Sequence, residues 1–453
     1  MKKCLIYLIC IFFFGVSSMY GQSKNVNLLD NWTDTLFQSW YGDKTFNEVW
    51  GFVQDGQEYA IIGSANGTNV IKINDDNTLE RKQFILGRHI DAIHRDFHDY
   101  NGYLYEVCDQ GSSSLRVYDL SYLPDSIHLV YDDSTEIRTC HNIFIDSSSG
   151  LLYACGVKNS FTDDAMKVFS LSNPEVPAHL YNYNFVDYVH DVFVRNDTAY
   201  INAGNEGLRV ADFSNPTMPL ALGALTLYTE QGYNHSGWLS EDGTTYVLCD
   251  ETAASPFKIL DVSDLTDIQV VNYTKPPTFD QTLPHNVMFK DGLAYFSYYA
   301  DGLQIYDVRN PEDLKRVGYY DTYAEDDIIF KGAWGIYAYL PSGRLLISDR
   351  TNGLFLLGYD APPNLVESTL EYGIYGNPVV GDYTYFYFKQ NEETSYTIEV
   401  FDIRGRSLST YKGNSDYLKM DLNGYADGLY TYRYSSPITN LVLTGKFLVA
   451  KGK

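Results

Sequence analysis

The sequence predicts an all-β chain whose larger part is a seven-bladed β-propeller, and three observations predict it. A segment apolar at alternate positions, with Asp at its end in the best copies, recurs along the chain. It runs Leu115–Asp119, Leu208–Asp212, Phe257–Asp261 and Leu303–Asp307, with weaker copies at Val70–Asn74, Met166–Ser170 and Leu354–Gly358, ending at intervals of 42 to 51 residues. A second marker lies upstream of each copy and begins at Asn47, Arg95, His141, His190, His235, His285 and Trp334, at intervals of 45 to 50 residues. Both series count seven units, a repeat length that fits four short antiparallel strands per propeller blade. The third observation is compositional. The chain has 41 Tyr in 453 residues and an aromatic content of 15%, and Tyr favours pleated, half-buried strands.

Each unit orders its strands alike. The His-Asn-Ile-Phe type of strand comes first, then a turn such as Asp291-Gly292, then a Tyr-rich strand such as Tyr295–Tyr298. Gly-Leu opens the third strand, and a turn such as Ser214-Asn-Pro216 leads to the fourth. Asp or Ser can hydrogen-bond the backbone of such a turn, and Pro fixes the bend. The seventh unit lacks an evident fourth strand before Asp360-Ala-Pro-Pro363. Leu36–Trp40 is expected to supply it and so remove an exposed edge.

The ends read differently from the repeats. Lys2-Lys3, the apolar run Leu5–Val16 and the small and polar residues up to Gly21 have the form of a secretory signal peptide covering residues 1–21. The apolar run is too short to span a bilayer, and no transmembrane segment is expected in the mature chain. Cys108, Cys140, Cys155 and Cys249 lie beyond it. An exported, even set permits disulfides in three connectivities; Cys140 and Cys155 flank a hairpin and could face each other, while four buried thiols are the alternative.

The formal charge of −25, from 33 basic and 58 acidic residues, repels phosphate backbones and argues against a nucleic-acid partner. Familiar catalytic signatures are missing, including Gly-x-Ser-x-Gly, His-Glu-x-x-His, a phosphate-binding Gly-Lys-Ser/Thr loop and Cys-x-x-Cys. An enzyme is therefore the weaker expectation. One constellation carries chemistry. His141, His190, His235 and His285 occupy one repeat position in blades three to six, and Arg95 holds that position in blade two. Equivalent positions must surround the propeller axis, so four imidazoles are expected at one central opening, with carboxylates from Glu48, Asp96 and Asp191 beside them. Neutral imidazoles bind Zn, Cu, Ni or Fe, so the cofactor this ring implies is a divalent metal ion. The alternative is structural, with each His bonding the backbone of the next blade. His89, His94, His98, His128 and His179 share no clear face and are expected to be incidental. Asp250-Glu251 is an acidic pair of the kind glycoside chemistry uses. The Tyr residues are expected to pack between blades, as at Tyr153, Tyr200 and Tyr306, rather than to stack on sugars.

The repeat motifs resemble those of the choice-of-anchor B family, whose domain carries LVIVD-type repeats. The matching stretches include Asn47–Gly51, Glu58–Gly63, His141-Asn-Ile, Tyr188–Asp191, Tyr233–Leu239, His285-Asn286, Val317–Tyr323, Gly332–Trp334 and Ile347–Asp349. The resemblance covers about residues 30–360 and implies a propeller in an exported, cell-surface setting. It implies no reaction.

The tail carries a second resemblance. Tyr375-Gly-Asn-Pro-Val379, Tyr396–Arg406, Asp421-Leu422, Gly428-Leu-Tyr-Thr431 and the basic finish Lys446 to Lys453 are similar to the C-terminal sorting domain of type IX secretion. Gly376 departs from the family's more usual Pro. This resemblance implies a small β-sandwich, with the outer-membrane secretion machinery as partner. The expected division is 1–21 signal peptide, 22–361 propeller and 362–453 sorting domain. The expected function is a surface-displayed binding or scaffold module, with a glycan or a protein as its ligand. The alternative is a metal-dependent or glycan-active enzyme using the axial ring.

Overall fold

The computed structural model describes residues 23–34, 45–278, 280–325, 330–361, 372–374, 379–388, 395–414, 417–436 and 442–451. The expected signal peptide lies outside them. The chain divides into two compact units, Met1–Asp360 and Ala361–Lys453.

Antiparallel sheets follow one another along the first unit, most of them four-stranded meanders such as Asp191–Arg195, Thr198–Asn202, Leu208–Asp212 and Leu220–Leu225. The marker segments supply the first strands: Phe46–Gln54, Arg95–Tyr100, Asn142–Asp146, Asp191–Arg195, Asn234–Leu239, Pro284–Lys290 and Ala333–Tyr337. Each first strand lies against the next in that order, and Ala333–Tyr337 lies against Phe46–Gln54. A short 3-10 turn at Tyr299–Asp301 is the sole helical element among the described residues.

The repeat signature has a local cause. The Asp ending the third strand accepts a hydrogen bond from the backbone N–H two residues on, at Asp119, Asp212, Asp261 and Asp307. Asn215, Asp264 and Asn310 then do the same for the next bend. These side-chain turns compete with strand continuation and stop it. The Gly before the third-strand Leu is explained by its backbone. Gly302 has φ of 69° and ψ of −142°, a conformation open essentially to glycine, and a Cβ there would overlap the Tyr320 carbonyl of the fourth strand.

Alternation along the strands places apolar side chains between neighbouring sheets. Tyr105, Val107 and Val117 of the second sheet meet Ile143, Ile145 and Phe169 of the third. Val49, Ala60 and Ile62 of the first sheet meet Leu346, Leu354 and Leu356 of the last. Tyr153, Tyr200 and Tyr306 are buried in such layers, and Tyr200 stacks on Tyr246 at 4.9 Å across a sheet boundary. The four cysteines are buried free thiols. Cys140 and Cys155 do not face each other: Asn142 is the residue opposite Cys155. Cys140 packs between the second and third sheets, whereas Cys155 packs between the third and fourth.

Leu36–Trp40 lies outside the described residues. The strand that completes the last sheet is Val26–Trp32, antiparallel to Gly353–Tyr359. Its apolar pattern is weak, because a fourth strand is the most exposed of its sheet, and the burial runs buried only at Val26. The preceding Ser23–Lys24 adds a short edge to the sixth sheet beside Lys315–Tyr320.

The second unit holds a three-stranded sheet (Tyr372–Ile374, Tyr383–Phe388, Tyr417–Asp421) and a four-stranded one (Tyr396–Phe401, Ser407–Gly413, Gly428–Ser435, Val442–Val449). Phe386 and Met420 of the one pack with Ile398, Val400, Tyr432, Tyr434 and Phe447 of the other, as in a β-sandwich. The Gly-Arg turn is a side-chain-capped hairpin: Asp402 accepts the N–H groups of Arg404 and Arg406, and Gly405 has φ of 78°.

Candidate functional site

Four of the first strands do not alternate evenly. Their pairing with the second strands slips between Phe46 and Val49, Asn234 and Ser236, Pro284 and Asn286, and Ala333 and Ile336. A bulge lets two consecutive side chains point the same way, so His285 and Asn286 both reach one central pocket. Arg95–Tyr100 has no such slip. There His94, Asp96 and His98 share one face, and Arg95 is turned to the other. Its guanidinium bonds Glu106 and the carbonyls of Ser64 and His89 in the interior. Arg95 was expected at the opening; His94 stands in its place.

The result is a circle of rings. Centroid separations are 5.5 Å for His94–His141, 4.2 Å for His141–His190, 3.9 Å for His190–His235 and 4.5 Å for His235–His285. Trp334 completes it, 4.0 Å from His285 and 5.1 Å from His94. The four predicted histidines thus come together with Trp334, which holds the same repeat position, and with His94, which sequence reasoning did not place with them.

Next to this circle lies a polar tier containing Glu48, Asp96, Asn142, Asp191 and Asn286. Asp96 accepts the Ile143 N–H at 2.6 Å, and Glu48 accepts from Asn286 at 3.0 Å. A Cβ on Gly335 would overlap the Glu48 carboxyl, which is why this position is empty of a side chain. Burial pushes all three carboxyls up: Asp96 to about 7, Asp191 to about 8, and Glu48 well above the carboxylate range, helped by the charges of Asp96 and Asp191. A second aromatic circle follows, through Trp50, His98, Phe144, Phe193, Trp238, Tyr339 and Tyr337, at separations of 4.1 to 6.2 Å. His98 is a member of it. Outside both circles, His128 stacks on Tyr122 at an outer strand.

The histidines are held in three different ways. His285 Nδ1 lies 2.6 Å from the Trp334 carbonyl, the backbone bond expected of a structural ring residue. His141 Nδ1 lies 2.9 Å from Asp109. Burial lowers the His141 pKa, but the Asp109 bond and charge outweigh it and leave it raised. The buried Nδ1 atoms of His190 and His235 have no hydrogen-bond partner. Burial, and then the neighbouring imidazoles, hold His190 and His285 well below the usual histidine value and His235 at about 3. All three are neutral at physiological pH.

On its outer side the circle floors a recess of about 280 Å³ walled by Glu251, Tyr299, Phe330 and Arg350. Tyr299 donates a hydrogen bond to Glu251. Arg350 lies 4.2 Å over Trp334, is 2% exposed, and has no partner for Nε or Nη2. Asp109, Tyr299 and Arg350 were missed as site residues, and Glu251 was read only as half of an acidic pair with Asp250, yet a signal for all four existed. Each immediately follows the second strand of its sheet, after Cys108, Asp250, Tyr298 and Asp349. Asp250 and Glu251 do not act as a pair. Asp250 is fully buried against Lys258 at 2.5 Å, while Glu251 faces the recess.

Comparison with known proteins resolves the tail first. Residues 373–450 match the model of the secretion system C-terminal sorting domain. The tail is a type IX sorting domain. It implies export towards the cell surface and an encounter with the secretion machinery. Among solved structures, the RRP9 WD40 repeats resemble the chain at TM-score 0.52 and 10% identity, over 75% of this chain and 98% of that one. The β-propeller domain of Myceliophteria thermophila Cps50 (Swd1) does so at 0.51 and 12%, over 73% and 98%. These likenesses show a β-propeller-like fold. PorZ, a surface component of the type IX secretion system of Porphyromonas gingivalis, aligns at TM-score 0.47 and 13% identity over 92% of this chain; the alignment spans 61% of PorZ. No curated protein matches the chain.

Proposed function

We propose that the mature chain is a surface-displayed, seven-bladed β-propeller that binds a small ligand in its axial recess, delivered by its sorting domain after removal of residues 1–21. Residues 22–361 form the propeller on this reading, and 362–453 the sorting domain. The LVIVD-type repeats of the choice-of-anchor B kind belong to the same reading, supported by the order of their motifs. The observation that carries binding is the recess itself. It gathers neutral imidazoles, a carboxyl and a buried guanidinium whose Nε and Nη2 atoms have no partner within the protein. Leaving buried donors unsatisfied costs about 1–3 kcal/mol each, a cost that a bound polar ligand removes.

Two measurements test this. Deleting residues 362–453 should leave the propeller inside the outer membrane, as surface labelling and fractionation would record; surface display of the truncated chain would refute delivery by the tail. For binding, a thermal-shift screen of surface sugars and small carboxylates on the mature chain should give ligands whose effect Arg350→Met abolishes. A screen with no shift, or with shifts untouched by Arg350→Met, overturns recess binding.

A further inference from the structure

His190 and His235, whose Nδ1 atoms have no hydrogen-bond partner, stand beside Glu251. Ligand atoms of His190, His235 and Glu251 all lie within 4.8 Å of one another, with His235 Nε2 and Glu251 Oε2 3.7 Å apart. Two ligands on a tetrahedral zinc ion, at bond lengths near 2.0–2.1 Å, sit about 3.3 Å apart. Closing the present set around an ion therefore needs only sub-ångström movement. From these distances we infer that His190, His235 and Glu251 form a binding site for a divalent transition-metal ion at the floor of the recess. The inference rests on the recess-binding reading and names what first occupies it.

Three lines meet here. The donor set of two imidazoles and one carboxylate is that of open zinc sites, in which the fourth position stays free. Here that position opens onto the recess, where Tyr299 and Arg350 stand. His190 and His235 are 8% and 2% exposed, and His235 turns Nε2 towards Glu251; the Nδ1 atoms of His285 and His141 are engaged by Trp334 and Asp109. Glu251 is held by Tyr299, an outer partner of the type that orients metal-binding carboxylates. A second cluster, His94, Asp109 and His141, is equally compact. There His141 Nδ1 is already hydrogen-bonded to Asp109 and His94 Nδ1 to Gln110 at 2.7 Å, so one nitrogen of each ring is engaged without an ion.

The test uses the full mature chain, stripped with a chelator and titrated with Zn²⁺ by calorimetry and with Co²⁺ by visible absorption. One ion per chain is expected, with the Co²⁺ bands of a four- or five-coordinate ion. Glu251→Gln and His235→Ala should each weaken binding by more than about 100-fold, beyond the 10–100-fold that loss of an outer partner causes. Asp109→Asn should stay within a few-fold of wild type. Glu251→Gln preserves shape, and its unfolding temperature without metal checks that the fold is intact. An absence of ion binding in wild type overturns the inference, as does binding lost in Asp109→Asn but kept in Glu251→Gln. If no ion binds but Arg350-dependent ligand binding is seen, the metal site falls while the recess reading stands.

Discussion

Lys258→Met is expected to destabilise the first unit by about 3–5 kcal/mol, among the largest effects of any single substitution in this chain. Lys258 and Asp250 are both fully buried, their ion pair is 2.5 Å long, and Lys258 also donates to Ser255 at 3.0 Å. Asp250 further accepts from the Tyr228 hydroxyl at 2.7 Å and the Gly232 N–H at 2.8 Å. Burial lowers the Lys258 pKa, and Asp250 only partly offsets this. Methionine matches the length of the lysine stem but strands a carboxylate away from water. Truncating one partner therefore costs more than the pair itself contributes. Adding Asp250→Asn to Lys258→Met should recover much of the loss, because the uncompensated charge is then gone. Urea unfolding of the wild type and the two variants measures this. A shift below about 1 kcal/mol for Lys258→Met would contradict the argument.

Asp96→Asn should act in the opposite sense and stabilise the protein at pH 8. Burial raises Asp96 from its ordinary value near 4 to about 7. Between those two values the native state keeps a proton that the unfolded chain has released. Stability therefore falls as pH rises from about 4 to 7 and levels off above, with a total on the order of 4 kcal/mol for the three-unit difference. The groups facing Asp96 are the carboxyls of Glu48 and Asp191 and the imidazole of His141. His141 has a raised pKa and loses its stabilising proton as pH rises, so it adds to the same downward slope. Asparagine can still accept the Ile143 N–H and carries no charge to desolvate. The unfolding temperature of Asp96→Asn should exceed that of wild type at pH 8 and approach it at pH 4.5. Parallel pH profiles for the two proteins would exclude this role for Asp96.

Much of this could be read from residue types, because the repeat is written in groups with local jobs. The third-strand Asp marks a turn it caps itself, and the Gly before it marks a backbone conformation that other residues avoid. The histidine series marks the start of the first strands. What escaped depends on a one-residue offset. Whether Arg95 or His94 faces the axis turns on where the even alternation of Arg95–Tyr100 begins, and that register leaves no residue type as its signature. Val26–Trp32 escaped because an outer strand buries too little to show alternation. Arg350, and the place of Glu251 beside the histidines, escaped because their shared position after the second strand becomes meaningful only once that end of each sheet is seen to face the recess.

The pairing of Val26–Trp32 with Gly353–Tyr359 also dictates an order of events in time. The two strands belong to one sheet yet are separated by more than three hundred residues, as the Asn27–Asp360 hydrogen bond spans 333 positions. No sheet can gain its last strand from a segment not yet delivered, so the earliest part of this strand pair must wait for the latest. Until then Gly353–Tyr359 lacks its outer neighbour, an open ladder of the kind that recruits other chains. Contacts this distant in sequence form slowly, since closing the longer loop comes before any reward from the pairing. The vulnerable period of this protein is thus the interval between the arrival of its two ends.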